Sequence, residues 1–123
     1  MAKIERDTDV EERITMEVVV DAYGPEEQAM GWYYYLNDTI QFPFTADCIS
    51  KRRISPLKEG QAVKVVGMAP EDECEREMFV EIDWDGDTLA VPLIQIGVPE
   101  VDEDTQQAIS DWHYWVNQGY EFG

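Results

Sequence analysis

The sequence predicts an α+β fold, in which a small barrel-like antiparallel sheet is flanked by two N-terminal helices and one C-terminal helix. Apolar residues recur at helical spacing up to about residue 38 and again after residue 102. Between residues 45 and 93 they alternate with a period of two, which is typical of strands. The chain has 123 residues, of which 44% are hydrophobic, so we expect one core and a single domain over residues 1–123.

Three segments have the spacing of amphipathic helices. The first is predicted over residues 9–22, although its run of three valines, residues 18–20, also suits a strand. The second starts after Gly24 with Pro25 at its first position and runs to about residue 38. Its buried stripe is expected to contain Ala29, Trp32, Tyr33 and Leu36. The third starts at the N-cap Asp102 and stops at Gly119, with an apolar face of Thr105, Ala108, Ile109, Trp112, Trp115 and Val116.

Four strands are predicted between the second and third helices, over residues 45–52, 62–68, 78–84 and 88–93. Turn signals separate them, and the sharpest is the dipeptide Asp85-Gly86 between the last two strands. In the third strand Met78, Val80 and Ile82 alternate with acidic residues, which predicts one apolar and one acidic face. Short strands at this spacing suggest a small SH3-like barrel.

Negative charge is concentrated in the second half of the chain. From Ala69 to the C-terminus there are fifteen Asp and Glu and one basic residue, Arg76. Residues 1–68 hold twelve acids and eight Lys and Arg, so the two parts carry −14 and −4 of the net −18. Crowded carboxylates repel one another, and a metal ion or a basic partner relieves that repulsion.

The same composition argues against several classes of protein. A net charge of −18 offers no basic surface to nucleic acid or to an anionic membrane. Residues 1–6 lack the apolar run of a signal peptide, and no stretch approaches the roughly 20 apolar residues of a membrane span, so we expect a cytoplasmic protein. One histidine, His113, and two separated cysteines, Cys48 and Cys74, do not predict zinc, copper or nucleophilic chemistry.

Three acid-rich segments are candidates for a hard cation such as calcium, which takes oxygen ligands. The first follows Pro70 and contains Glu71, Asp72, Glu73 and Glu75. The second precedes the last helix and contains Glu100, Asp102, Glu103 and Asp104. The third is the end of the second helix, where free carbonyls adjoin Asp38 and Thr39. Each has a purely structural alternative, since acids also cap helices, and helix ends and loops are often simply solvated.

None of these segments matches the EF-hand pattern. An EF-hand loop that started at Asp83 would have Thr88 in place of its glycine and Ile94 in place of its bidentate glutamate. One that started at Asp102 would reach His113 at that last position and fails as well. The sequence therefore predicts a calcium site of another kind.

Five runs of sequence resemble a known family. They are residues 21–24 (DAYG), 26–36 (EEQAMGWYYYL), 67–71 (GMAPE), 89–93 (LAVPL) and 111–116 (DWHYWV). Together they are similar to the small acidic calcium-binding proteins of cyanobacteria, the CcbP-like family. The resemblance implies reversible calcium binding at sites unlike EF-hands, and a role in setting free cytosolic calcium during signalling linked to cell differentiation. It favours Asp38 as a ligand, because Asp38 lies just after the tyrosine-rich run.

We therefore expect a non-EF-hand calcium-binding protein that acts as an intracellular calcium buffer or signalling protein and is not an enzyme. Calcium ions are its expected ligand. The alternative is an acidic interaction module, which binds a basic protein partner or mimics nucleic acid and binds metal only incidentally. We expect no nucleic acid and no membrane among its partners.

Overall fold

The computed structural model describes residues 7–20 and 22–122. In this part of the chain the helices are α1 (Thr8–Arg13), α2 (Pro25–Thr39) and α3 (Glu103–Asn117). The strands are β1 (Phe44–Asp47), β2 (Ala62–Met68), β3 (Phe79–Trp84) and β4 (Asp87–Pro92). A π-helical turn, Ile14–Val18, extends α1, and two 3₁₀ turns cover Glu71–Cys74 and Leu93–Gln95. Among the described residues, no helix is long and apolar enough to cross a membrane.

The three predicted helices are present, and the first differs most from its prediction. Its π-helical turn stops at Val18 rather than residue 22, because consecutive β-branched valines do not favour a helix. Asp21, in the predicted remainder, lies outside the described residues. In α2 Ala29, Trp32 and Leu36 are buried as predicted, and Tyr33 is half-buried. In α3 the predicted face is confirmed except that Val116 is half-buried and Asp111, not predicted, is buried.

The four strands form one antiparallel sheet in the order β1-β2-β3-β4. Asp85 and Gly86 join β3 to β4, with φ of +53° and +87°, as a tight type I′ hairpin requires. Val80 and Ile82 of β3 are fully buried, whereas Asp83 is exposed, so the predicted alternation is confirmed. The apolar face of this sheet packs beneath α2.

The predicted SH3-like barrel is not confirmed, because the sheet stays open with β1 and β4 at its edges. β1 ends at Asp47 rather than at residue 52. Beyond it, a single bridge pairs Cys48 with Ile96, and the Ile49 amide donates to the Gln95 carbonyl at 2.7 Å. The chain then turns away, since the Ser55 amide donates to the Arg52 carbonyl at 3.2 Å, and residues 52–55 form a turn instead of a strand.

A core of tryptophans joins the helices above the sheet. Trp32 of α2 is fully buried, and its ring lies edge-on to Trp112 of α3, with ring centroids 5.0 Å apart. Trp115, one turn further along α3, lies 5.6 Å from Trp32. These rings fix α3 against α2, because offset and edge-on aromatic pairs add to the stabilisation from buried area.

A buried ion pair ties α1, α2 and α3 together. The Arg13 guanidinium donates two hydrogen bonds to the carboxylate of Asp111, the one from Nε at 2.9 Å. The Tyr35 hydroxyl donates to the same carboxylate at 2.8 Å. Burial, followed by this hydrogen bond, raises the pKa of Tyr35 to about 12. Asp111 is only 2% exposed, so these two partners take the place of the water that its carboxylate has lost.

Gly31 marks a close approach between α2 and the end of the π-helical turn. A Cβ atom at this position would clash with the Val18 carbonyl oxygen, which is backbone and cannot rotate away. We expect Gly31→Ala to lower the free energy of unfolding by about 2 kcal/mol, because overpacking outweighs the helix propensity gained. Chemical denaturation would measure the loss. Gly67→Ala is the control, since its Cβ would meet no atom within 4 Å; equal stability of the two variants would contradict the close approach.

Candidate metal centre

The acidic segment after β2 begins with the 3₁₀ turn Glu71–Cys74, and hydrogen bonds hold the turn at both ends. The Glu73 amide donates to the Pro70 carbonyl at 2.9 Å. The buried Cys74 anchors the other end, because the Phe79 amide donates to its Sγ at 3.4 Å. Burial raises the pKa of the Cys74 thiol to about 11, so the side chain stays neutral and packs as a small apolar group. The exposed acids of the segment therefore project from a well-fixed backbone.

A cavity of about 860 Å³ lies between this turn, the start of α2 and the C-terminal residues. It is lined by the five exposed carboxylates of Glu26, Glu71, Asp72, Glu75 and Glu121. Arg76, the single basic residue of the acidic half, lines the same cavity. Its remaining lining is Pro25, Ala29, Met30 and Phe122. We call this the carboxylate pocket; five acids against one guanidinium give it a net charge of −4.

The donors of the carboxylate pocket fit a hard divalent cation. Carboxylate oxygens are the ligands that calcium prefers, and the lining holds no His or Cys that would favour a softer metal. Across the described residues, no group of three or more His, Cys, Asp or Glu side chains is placed to hold a metal ion. The five side chains are exposed, and a cation that drew them together would have to offset their mutual repulsion.

A second acidic region lies where the end of α2 meets the start of α3, and we call it the helix junction. The Gln41 amide donates to the Thr105 hydroxyl oxygen at 2.9 Å and so joins the two helices. Asp38 is exposed and Thr39 half-buried in the last turn of α2, where backbone carbonyls lie at the helix end. The exposed acids on the α3 side are Glu100, Asp102, Glu103 and Asp104.

Asp102 caps the start of α3, which is the structural role that the sequence offered as the alternative to metal binding. Its carboxylate accepts hydrogen bonds from the Thr105 amide at 3.0 Å and from the Thr105 hydroxyl at 2.8 Å. These bonds lower the pKa of Asp102, the amide bond most strongly. Asp102 is thus confirmed as the N-cap of α3, and ion binding by this carboxylate would compete with the cap.

The structure brings together some of the predicted ligands and separates others. Glu71, Asp72 and Glu75 share the carboxylate pocket, whereas Glu73 lies on the same turn without lining it. The other six predicted residues belong to the helix junction. The sequence pattern missed Glu26, which suited the positive end of the α2 dipole, and Glu121, which follows the last helix. Only the folded chain places these two beside residues 71–75.

Comparison with known proteins identifies a family and the ion that this family binds. Residues 12–116 match the model of the CcbP family, which is described as calcium binding. The chain belongs to this family. A CcbP crystal structure from Anabaena is 49% identical over 98% of both chains, with a TM-score of 0.85. A second solved structure, of a calcium-binding protein in the calcium-binding form, is 48% identical over 98% of both chains, with a TM-score of 0.84. A search of curated proteins found no match.

Membership of the CcbP family confirms the resemblance read from the sequence and identifies calcium as the ion of the family. The open α+β architecture is shared with the two CcbP-like structures, as their TM-scores show. CcbP proteins form a calcium-binding family and not a known enzyme family. For this CcbP-family chain, the acidic regions described above are therefore candidates for calcium coordination.

Proposed function

We propose that this CcbP-family protein binds calcium reversibly in the carboxylate pocket and serves as a cytoplasmic calcium buffer or signalling protein, without enzymatic activity. The observation that carries the proposal is that five acidic residues from three separate segments line one cavity. A relative that is 48% identical has been solved in its calcium-binding form, which supports the choice of ion. No role for nucleic acid or a membrane is proposed.

The site we propose is not an EF-hand. An EF-hand draws its ligands from one continuous loop of about 12 residues. The carboxylate pocket instead draws on the first turn of α2, the 3₁₀ turn after β2 and the residues after α3. Calcium there would link segments that are distant in sequence, so binding and folding should be coupled.

Binding is driven by the relief of repulsion among ionised carboxylates. Glu71 and Asp72 lie on the 3₁₀ turn Glu71–Cys74 and Glu75 directly follows it, so calcium offsets their charges at close range. Affinity should fall at high salt, where exposed charges are screened over roughly 8–10 Å, and at low pH, where carboxylates become protonated and lose their charge. A buffer needs only this reversible equilibrium, whereas a signalling role also needs a change of shape.

The helix junction is the second place where calcium could bind. Its oxygen donors are the exposed Asp38, the carbonyls at the end of α2, and Glu103 and Asp104 in the first turn of α3. The negative end of the α2 dipole favours a cation there. The carboxylate pocket has five acids around one cavity, so we place the stronger site there.

Calorimetric titration with calcium, with and without millimolar magnesium, tests the proposal. We expect saturable binding that persists in magnesium and is at least tenfold weaker in Glu71→Gln/Glu75→Gln. Asp38→Asn tests the helix junction, and Glu59→Gln, an exposed acid outside both regions, controls for the loss of a charge. Heat that never saturates, or that magnesium abolishes, would contradict the proposal and favour an acidic surface for a basic protein partner.

Replacing Arg76 removes a positive charge from the pocket and should therefore affect calcium binding in the opposite direction to the loss of an acid. Arg76 is exposed and lines the pocket, where its guanidinium repels an incoming cation. We expect Arg76→Gln to tighten calcium binding about threefold at low salt, because one repulsive charge is removed near the ion. Arg53→Gln, an exposed arginine elsewhere, is the matched control. Equal effects of the two variants would show that only the overall net charge matters.

A further inference from the structure

The residues after α3 fold back on the helix instead of leaving the domain. Gly119 has φ of +86°, a left-handed conformation that reverses the chain with no steric cost for glycine. The Tyr120 amide then donates to the Trp115 carbonyl at 3.2 Å. We call residues 119–122 the C-terminal strap.

Two aromatic rings anchor the strap. The Tyr120 ring packs on Trp115 with centroids 4.7 Å apart, and its hydroxyl donates to the Glu11 carboxylate of α1 at 2.9 Å. The Phe122 ring lies 6.0 Å from the ring of the buried Trp112. The strap therefore contacts the tryptophan core directly.

Glu121 stands between these two anchored residues and lines the carboxylate pocket. We propose that the strap is a positioning device, which holds Glu121 at the pocket and makes calcium affinity depend on the docking of Phe122 against α3. This inference rests on the proposed function. By linkage, calcium bound in the pocket stabilises the docked strap to the same extent that docking strengthens calcium binding.

The strap would also make calcium binding visible in the core. The strap is held to the core by the ring contacts, by the Glu11 hydrogen bond and by the bond from the Tyr120 amide to the Trp115 carbonyl. When calcium draws Glu121 inward, Phe122 is held more firmly against Trp112. Binding at the pocket therefore changes the surroundings of two tryptophans that do not line it.

Two variants separate the charge of Glu121 from its positioning. Glu121→Gln removes one carboxylate, whereas Phe122→Ala keeps all five carboxylates and removes an anchor of the strap. We expect each to weaken calcium binding about threefold to tenfold in calorimetric titration. The double variant should bind no more weakly than Glu121→Gln alone, because both changes remove the same interaction. Phe122→Tyr, which keeps the ring, should restore the affinity, and Glu59→Gln again controls for the lost charge.

The outcomes distinguish the strap from the site it serves. One outcome is that Glu71→Gln/Glu75→Gln weakens binding while the Glu121 and Phe122 variants behave like Glu59→Gln. That result would contradict the positioning role of the strap and support calcium binding in the pocket. If the effects of Glu121→Gln and Phe122→Ala add, Phe122 does not act through Glu121, and the positioning role is overturned. If neither set changes calcium binding, the proposed site and the strap both fail. Circular dichroism and thermal unfolding without calcium would confirm that the Phe122 variants are folded.

Discussion

Arg13→Met is expected to lower the free energy of unfolding by about 3 kcal/mol, because it leaves the carboxylate of Asp111 buried without its cation. Asp111 is 2% exposed, and after the change the Tyr35 hydroxyl is its one remaining partner among the contacts described above. Methionine keeps most of the arginine volume, so the loss reports on charge more than on packing. Urea denaturation at neutral pH would measure it.

Two further variants make the Arg13 prediction specific. Arg52→Met breaks the more exposed ion pair with Glu77, and there we expect a loss below about 1 kcal/mol. Arg13→Met/Asp111→Asn removes both charges and should recover much of the stability lost in Arg13→Met. If Arg13→Met and Arg52→Met cost the same, or the double variant recovers nothing, Asp111 does not depend on Arg13.

Calcium is expected to stabilise the folded chain by mass action. At a free calcium concentration 100 times the Kd, the free energy of unfolding should rise by about 2.7 kcal/mol. For a domain of this size the midpoint of thermal unfolding should rise by roughly 10 °C, and a chelator should reverse the rise. Scanning calorimetry with calcium and with chelator would measure both.

The variant Glu71→Gln/Glu75→Gln should change stability in a different way without calcium than with it. Without calcium, Glu71→Gln/Glu75→Gln should be at least as stable as the unmodified chain, because it removes repulsion between neighbouring acids. With calcium it should gain far less stability, because it has lost two ligands. A variant that is less stable without calcium, and that gains as much from it, would show that these acids are structural.

Local sequence signals predicted most of the helices and strands. Pro25 and the apolar spacing predicted α2, the N-cap Asp102 predicted the start of α3, and Asp85-Gly86 predicted the β3–β4 hairpin. Each of these signals acts within a few residues. β1 was predicted too long because the strand pattern runs on to Arg52, where the chain makes a turn. Whether the sheet closes into a barrel depends on whether its edge strands, β1 and β4, pair with each other. The residue pattern within each strand does not determine this.

The candidate site was predictable only where its residues are neighbours in sequence. Glu71, Asp72 and Glu75 stand out because acids crowd one short segment. Glu26 and Glu121 have ordinary local explanations, and they join the pocket only because α2 and the strap pack beside that segment. Asp111 was missed for the same reason, since its partner Arg13 lies 98 residues away.

A crystal structure of the protein grown with calcium, with the ion located by its anomalous scattering, tests the central claim most directly. We predict an ion in the carboxylate pocket, coordinated by Glu71, Asp72 or Glu75 together with Glu26 or Glu121. An ion found only at the helix junction, beside Asp38, would contradict the pocket as the main site. The acids of the pocket would then be solvated surface residues that do not bind calcium.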